Sequence, residues 1–335
     1  MAVDYETIRR ENEKRYGTDI GRIGPMLLAN RYAERTHFIY ELLQNAEDAL
    51  KRRGPEWKGK RGVTFSLDGG FLRVSHYGIP FDEKDVRGIC GIAEGTKELT
   101  DIGRFGIGFK SVYAFTGRPE VHSGEEDFAV ENFVWPVAVA PIERDGEETV
   151  FILPFRPEDA GAATEIAAGL RRLGSRVLLF LKAVDEVAWC VQGGPSGHYL
   201  RGRPTPLSGG AQKVELIWQE SGDRGTRDET WLVFARPVRT EEGKAAGSVE
   251  VALRLERQEG KETIARISGS ALVAFFPTTI ETHLGENSSR WAGSPRVIAT
   301  RFPRACPHPG TLARLSAEVR ARSRSCLADH RLDQA

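Results

Sequence analysis

The sequence predicts an α+β protein, because one amphipathic helix stands among short strands with alternating apolar residues. Over residues 36–52, apolar side chains recur at helical spacing, and a Gly-Pro pair at positions 54–55 ends the pattern. Residues 62–67 alternate apolar and polar side chains, an Asp-Gly-Gly turn follows, and residues 71–75 return as a second strand. A helix and an antiparallel hairpin therefore follow one another directly in the chain.

Further helices and strands are expected around this pair. Helical patterns occupy residues 4–16, the short segment 82–88, residues 109–115 and the Ala-rich segment 159–173. Strand patterns occupy residues 121–123, 128–129 and 149–154 and the apolar segment 177–189.

The composition of the chain changes twice and predicts three regions. The Gly- and Pro-containing residues 193–210 are interpreted as a loop at a domain boundary. This loop separates a first domain, residues 1–192, from a smaller β-rich domain, residues 211–285. In the second domain, strands are predicted at residues 214–218, 229–235, 248–257 and 271–276. Residues 286–335 contain nine arginines and no lysine, and we expect an irregular tail, for which a truncated or frame-disrupted end is one hypothesis.

The overall charge excludes no fold class, but it reduces the classes of partner that we expect. Lys and Arg total 47, as do Asp and Glu, so the formal net charge is zero and nucleic acid or an anionic membrane is not an expected partner. The four cysteines show neither metal-ligand spacing nor a disulfide framework, which favours a reducing compartment. The N-terminus has no apolar signal core, and no apolar stretch approaches the roughly 20 residues of a membrane span. These features predict a cytoplasmic protein.

One face of the helix at residues 36–52 carries candidate chemistry. Glu41, Asn45 and Asp48 are spaced i, i+4 and i+7 and therefore share a face. Burying such groups costs free energy unless they meet water, a metal or a ligand. A carboxylate can act as a general base and a carboxamide oxygen suits Mg²⁺. For Asp48, contacts around a nucleotide and an ion pair with a basic residue in the last turn of the helix remain alternatives.

A glycine-rich segment supplies a candidate phosphate cradle. Gly103, Gly106 and Gly108 allow close approach of the backbone to phosphates. An apolar helix start follows directly, and either Lys97 or Lys110 could reach a phosphate. With the polar helix face, this segment indicates a nucleoside triphosphate site with Mg²⁺.

Four ordered segments resemble the boxes of the GHKL superfamily, which includes DNA gyrase, Hsp90, histidine kinases and MutL. They are residues 41–49 (ELLQNAEDA), 75–81 (SHYGIPF), 95–97 (GTK) and 102–113 (IGRFGIGFKSVY). The third and fourth are most similar to the Hsp90 branch. Residues 108–113 and 118–124, and more loosely Phe-Phe-Pro-Thr at 275–278, resemble sacsin-type ATP-binding proteins. The resemblance covers residues 36–155 well and extends loosely to about residue 285.

The resemblance implies a Bergerat fold, a two-layer α/β sandwich with a mixed, mainly antiparallel sheet and helices on one face. It implies Glu41 as the water-activating base, Asn45 as the Mg²⁺ ligand, residues 103–108 as the hinge of a lid, and Thr149 beside the adenine. The candidate residues for binding nucleotide are Asn45, Asp48, His76, Gly78, Thr96, Lys97, Gly103, Phe105, Gly106, Ile107, Gly108, Phe109, Lys110 and Thr149.

The chain departs from the family pattern in two places. The second box usually carries an Asp that accepts a hydrogen bond from the adenine amino group, and the matching position here is His76, or Tyr77 by a shifted match. Neutral histidine can still accept this hydrogen bond, depending on its tautomer, whereas protonated histidine cannot. The second domain of relatives supplies a basic residue to the γ-phosphate, and Arg296 or Arg301 are the candidates here.

The predicted function is a slow, Mg²⁺-dependent ATPase of the Hsp90 and sacsin type. Closure of a lid on ATP would drive conformational work, chaperone-like or within a defence assembly, with ATP and ADP as ligands and a homodimer or a larger protein assembly as the context. The alternatives are a nucleotide-binding regulatory module without turnover and a DNA-processing GHKL ATPase. A histidine kinase is disfavoured because no dimerisation helix with a phosphoacceptor histidine precedes the first box.

Overall fold

The chain forms two compact units. The computed structural model describes residues 3–22, 24, 34–92, 108–239, 243 and 245–265, and the backbone of strands at 271–274, 276–281 and 299–301. The first unit comprises Met1–Gly174, Leu181–Tyr199 and Gln219–Arg224. The second comprises Ser175–Phe180, Leu200–Trp218 and Gly225–Ala335. The domain limits expected at residues 192, 211 and 285 remain a prediction.

In the described part of the chain, the first unit combines helices with a mixed sheet, so the α+β class is confirmed. Its helices include α1 (Tyr5–Tyr16), α2 (Phe38–Arg53), α3 (Glu83–Cys90) and α4 (Ala162–Arg171). Its strands are β1 (Gly62–Leu67), β2 (Phe71–His76), β3 (Glu120–Ser123), β4 (Glu126–Glu131), β5 (Trp135–Ala138), β6 (Thr149–Pro154), β7 (Glu186–Val191) and the first four residues of β8 (Ser196–Arg201).

The sheet of this unit is mainly antiparallel, as expected. Its strands are ordered β8-β7-β1-β2-β6-β3-β4-β5. The pairs β1–β2, β2–β6, β6–β3, β3–β4 and β4–β5 are antiparallel, whereas β1 and β7 run parallel. In the β2–β6 ladder His76 lies opposite Thr149. The sheet therefore brings two predicted site residues, 73 positions apart, to the same place.

Helix α2 forms where its periodicity predicts and starts two residues late. A 3-10 turn, Arg35–His37, precedes it, and Gly54 ends it with φ 85°. Its buried apolar stripe includes Phe38, Leu42, Leu43, Ala46 and Leu50. Full burial of each large apolar side chain stabilises the fold by about 1.5–3 kcal/mol. The last turn carries the basic residues Lys51, Arg52 and Arg53, whose positive charges interact favourably with the carboxyl end of the helix dipole.

A buried carboxylate fastens α2 to the segment before β7. Glu47 is 2% exposed, and its two carboxylate oxygens accept hydrogen bonds from three successive backbone N–H groups. The donors are Lys182 at 2.7 Å, Ala183 at 3.0 Å and Val184 at 2.9 Å. Because these bonds satisfy the charge and the amides together, they hold the site-bearing helix in register with the sheet.

The predicted helix after Gly108 is a 3-10 helix, Phe109–Ala114. Ser111 N donates to Gly108 O at 3.1 Å, which is the i to i+3 bond of such a turn. The segment packs against α2, and ring centroids of Phe109 and Phe151 lie 5.7 Å apart. A helical segment therefore follows Gly108, as predicted, and its hydrogen-bond pattern is that of a 3-10 helix.

Two expectations between residues 177 and 210 are wrong. The apolar run predicted as a strand begins instead as a 3-10 helix, Ser175–Leu179, and strand geometry starts only at β7. The predicted loop 193–210 contains β8 and the short strand β9 (Thr205–Pro206). In β8 burial alternates strictly, with Gly197, Tyr199 and Arg201 inside. The nearby glycines and prolines hid this period-2 signal.

The second unit is β-rich, as predicted. Its remaining strands are β10 (Ala211–Glu220), β11 (Arg227–Arg239), β12 (Ala245–Gln258), β13 (Lys261–Ile264), β14 (Ala271–Ala274), β15 (Phe276–Glu281) and β16 (Ala299–Arg301). They are ordered β10-β11-β12-β16-β14-β15, with β13 also on β12. A buried apolar cluster forms their core and consists of Ala211, Leu232, Phe234, Val251 and Leu253. Apart from β16, the predicted tail 286–335 lies outside the described residues.

Candidate functional site

Helix α2 brings the three predicted polar residues to one face. Glu41 and Asp48 are buried, at 4% and 6% exposure, and Asn45 is partly exposed. His37, one turn earlier, places Nε2 3.5 Å from Glu41 Oε1. The sequence interpretation did not include His37, although its i, i+4 spacing to Glu41 is the signal that could have found it. The helix therefore presents an imidazole, two carboxylates and a carboxamide in one row.

Gly108 lies directly against Glu41. A Cβ placed on Gly108 would be 2.3 Å from Glu41 Oε2, closer than real side-chain contacts allow. The backbone φ of Gly108 is −54°, so the close approach, and not a left-handed conformation, requires glycine here. The end of the glycine-rich segment is thus in contact with the predicted base.

His76 lies buried at the end of β2, next to the loop of the second box. The backbone N–H of Gly78 donates to His76 Nδ1 at 3.0 Å. Burial, followed by the positive charge of Arg52, lowers the pKa of His76 to about 4, so that the ring is neutral near pH 7. The shifted candidate Tyr77 is more exposed, and its hydroxyl accepts a hydrogen bond from Lys60 Nζ at 3.0 Å.

The loop after His76 is hydrogen-bonded to α2. Ile79 N donates to Ala49 O at 3.1 Å, and Arg53 donates to the carbonyl of Gly78 at 2.8 Å. A Cβ on Gly78 would lie 2.3 Å from the Cβ of Ala49, so this glycine allows close packing of the loop on the helix. The predicted binding residue Gly78 therefore has a packing role in the site.

Thr149 is buried and shares a hydrogen bond with a residue that was not predicted as part of the site. Its Oγ1 lies 2.5 Å from Ser123 Oγ, and Ser123 Oγ also accepts from Phe81 N at 3.0 Å. Ser123 belongs to the segment 118–124 that carried the sacsin-type resemblance. That segment could have directed attention to it.

Lys110 is buried and points into the protein. Its ammonium donates to the carbonyl of Phe133 and lies 4.8 Å from the centroid of the Phe133 ring. Burial lowers the pKa of Lys110 to about 8. Phe109 is also buried, within the cluster around Phe151. In the structure the ammonium of Lys110 binds the carbonyl of Phe133. A phosphate contact by Lys110 remains a prediction.

Several predicted residues lie outside the described residues. They are Thr96, Lys97, Gly103, Phe105, Gly106, Ile107 and Arg296. Arg301 is described only as part of the backbone of β16. Within the described part of the chain, no group of three or more His, Cys, Asp or Glu residues could hold a metal ion. Over that same part, no helix is both long and apolar enough to cross a membrane.

Comparison with known proteins gives three kinds of relative, while no protein-family model matches. The chain is 29% identical over 196 residues to the protein NO VEIN of Arabidopsis thaliana, covering 51% of this chain and 7% of that protein. It is 27% identical over 175 residues to the chaperone protein HtpG of a Sulfurovum species, covering 43% and 28%. It is 36% identical over 110 residues to human sacsin, covering 30% and 2%.

Over part of its length, the chain is similar to the chaperone HtpG and to sacsin. This similarity confirms the resemblance that the four boxes carry. The matched part is less than a third of the length of each of these relatives. The activities and partners of the whole relatives are therefore a matter for proposal.

Proposed function

We propose that this chain binds ATP with Mg²⁺ as the GHKL module of a chaperone-like protein and hydrolyses it slowly. The Bergerat arrangement would place the nucleotide between α2 and the glycine-rich segment that ends at Gly108. The observation that carries the proposal is the row formed by Glu41, Asn45 and Asp48 on α2, with Gly108 packed against the carboxylate of Glu41. The relationship to HtpG and sacsin supports it.

The oxygen donors on α2 fit Mg²⁺. This ion prefers oxygen ligands and is usually held by one or two protein groups, phosphates and water, so a site built on the Asn45 carboxamide needs no cluster of protein ligands. Asn45 is partly exposed, which leaves the residue accessible to a ligand. When bound, Mg²⁺ would offset the negative charge of the phosphates. Asp48, one turn further along α2, would complete the polar row beside it.

Glu41 is the proposed general base. A base must lie within hydrogen-bond reach of the proton it accepts, directly or through one water. The main chain of Gly108 packs against the Glu41 carboxylate, so closely that any side chain at this position would displace it. The carboxylate would therefore lie beside the glycine-rich segment proposed to hold the phosphates. His37, 3.5 Å from the same carboxylate, would orient it. His76 and Thr149 form the opposite, base-binding end of the site.

Hydrolysis would serve conformational work. Closure of the segment 103–108 over nucleotide changes the balance between two states only if the closed state binds nucleotide better. Such closure would be transmitted to the second unit or to another subunit of a homodimer or larger assembly. A regulatory module would have the same site without useful turnover.

Calorimetric titration tests the proposal. ATP and a non-hydrolysable analogue are titrated with Mg²⁺ into the intact chain, into Asn45→Ala, and into the control Gln212→Ala, which removes an exposed carboxamide from β10. We expect micromolar binding by the intact chain and the control and its loss in Asn45→Ala. Absence of binding by the intact chain, or equal binding by Asn45→Ala, would contradict the proposal. Binding without measurable turnover would favour the regulatory module.

A further inference from the structure

The base end of the proposed site has a histidine where the family usually has an aspartate. His76 is 2% exposed and lies opposite Thr149 in the β2–β6 ladder. Residues directly opposite in an antiparallel pair project to the same face of the sheet. The imidazole and the threonine hydroxyl therefore belong to the same corner of the site, beside the ring of Phe151, whose centroid is 5.9 Å from that of His76.

The hydrogen bond from Gly78 determines which nitrogen of His76 carries the proton. Gly78 N donates to Nδ1 at 3.0 Å, and a nitrogen that accepts a hydrogen bond cannot also be protonated. The neutral ring must then carry its proton on Nε2. Its lowered pKa, about 4, keeps the ring neutral near pH 7. His76 consequently offers a donor at Nε2, whereas an ionised aspartate offers acceptors only.

The surroundings hold this tautomer in place. The Gly78 amide belongs to a loop that is bonded to α2 through Ile79 N and Ala49 O at 3.1 Å. Arg53 donates to the carbonyls of Tyr77 at 3.2 Å and Gly78 at 2.8 Å, on the other side of the same loop. Rotating the ring or moving the proton to Nδ1 would break the bond to Gly78 and leave a buried amide without a partner, which is unfavourable.

The Nε2 proton needs an acceptor. Gly78 is the hydrogen-bond partner of His76 among the described residues, and the bond uses Nδ1 alone. The nearby hydroxyls have partners of their own, because Thr149 and Ser123 are bonded to each other and Ser123 accepts from Phe81 N. The Nε2–H group is therefore available as a donor to a bound ligand that supplies an acceptor.

Resting on the nucleotide site proposed above, we infer that His76 makes this site favour purines with an acceptor at position 6. The 6-amino group of adenine is a hydrogen-bond donor and would face a second donor, His76 Nε2–H. The 6-oxo group of hypoxanthine or guanine is an acceptor and can bind the Nε2 proton. Recognition of adenine would have to use its ring nitrogen N1 instead. The specificity-determining atom is His76 Nε2, and 6-oxopurine triphosphates bind at least as tightly as ATP.

Titrations with a matched pair of ligands test this inference. ATP and inosine triphosphate, which differ on the six-membered ring at positions 6 and 1, are titrated with Mg²⁺ into the intact chain, His76→Asp and the control Gln212→Ala. In the intact chain and the control, we expect inosine triphosphate to bind as tightly as ATP or more tightly. In His76→Asp, we expect the ratio of the two affinities to shift about tenfold towards ATP. The aspartate carboxylate accepts a hydrogen bond from the 6-amino group of ATP, whereas it opposes the 6-oxo group of inosine triphosphate with a second acceptor.

The outcomes separate this inference from the proposed function. Tighter binding of ATP than of inosine triphosphate by the intact chain overturns the inference and leaves the nucleotide site standing. Binding of neither nucleotide overturns both. Because a buried aspartate at position 76 could prevent folding, the nitrogen chemical shifts of His76 are measured in the intact chain, assigned by comparison with His76→Asn. A proton on Nε2 is expected, and a proton on Nδ1 would overturn the inference.

Discussion

Two faces of the same helix bury a glutamate in different surroundings. On one face of α2, Glu47 is 2% exposed and accepts hydrogen bonds from the backbone amides of Lys182, Ala183 and Val184. On the other, Glu41 is 4% exposed and meets Gly108 and the imidazole of His37. Equal burial therefore does not indicate an equal role. A carboxylate bound by main-chain donors has the features of a structural anchor, and one beside a glycine and a titratable ring has the features of a reactive group.

The largest effect is expected from removing the anchor. Glu47→Ala leaves three amides without this acceptor, those of Ala183 and Val184 in buried bonds and that of Lys182 in a part-buried one. We expect the free energy of unfolding to fall by about 3–5 kcal/mol, since each such loss costs about 1–3 kcal/mol and water recovers part of it. Urea unfolding of the intact chain and the variant measures this. A loss below about 1 kcal/mol would contradict the structural role of Glu47.

His76 extends the comparison to a buried ring, because among the described residues its Nδ1 has a main-chain partner and its Nε2 has none. Its pKa is lowered from 6.5 to about 4 in the folded chain. The unfolded chain therefore binds more protons between these values, so this contribution to stability is present above pH 6.5 and is lost as the pH falls towards 4. The 2.5-unit difference corresponds to a contribution on the order of 3 kcal/mol.

Unfolding at pH 7 and at pH 4.5 tests the titration of His76. We expect the intact chain to lose about 2–3 kcal/mol more than His76→Asn over this range, because asparagine does not titrate. Equal losses in the two proteins would show that His76 does not experience the burial described.

A substitution at Gly108 tests the proposed role of Glu41 as general base. In Gly108→Ala, the new Cβ would overlap Glu41 Oε2, so the carboxylate must move, and we expect ATP turnover to fall about 10- to 100-fold, as for other misplaced catalytic groups. Steady-state hydrolysis measures this. The matched control is Gly88→Ala in α3, where a Cβ meets nothing within 4 Å and turnover should not change. Equal turnover in both variants would argue against a base at Glu41.

The smallest effect is expected at His37. The contact of 3.5 Å between Nε2 and Glu41 Oε1 involves a histidine side chain that is 38% exposed. Exposed pairs of this kind contribute at most about 1 kcal/mol. We therefore expect His37→Ala to lower turnover by no more than about fivefold and to leave nucleotide affinity unchanged. A loss as large as that of Gly108→Ala would give His37 a more direct part in the chemistry.

The sequence indicated the polar row on α2 but not the anchoring role of Glu47. Glu41, Asn45 and Asp48 share a helical period, and the hairpin β1–β2 follows a turn signal, so local spacing was sufficient for both. Glu47 is bonded to amides about 135 positions away, and no local pattern reports such a contact. The proton on His76 depends likewise on the Gly78 amide, a feature of backbone geometry that residue types do not reveal.

The strands that were missed share a physical reason. β5 contains Pro136 and lies at the edge of the sheet, where a residue without an N–H is tolerated. β8 lies among glycines and prolines that indicated a loop. In both cases turn-forming residue types outweighed the period of a strand, because tertiary pairing stabilises a segment whose own propensity is weak.

The same substitution at the two glutamates tests the account most directly. Glu41→Gln and Glu47→Gln are compared for ATP binding, turnover and unfolding at a temperature where both are folded. We predict that Glu41→Gln binds ATP normally, loses turnover by about 10²–10⁴-fold and changes stability by less than about 1 kcal/mol. Glu47→Gln should keep turnover and lose stability. If Glu41→Gln hydrolyses ATP normally, or if Glu47→Gln is the variant that loses turnover, the assignment of roles to the two faces of α2 is wrong.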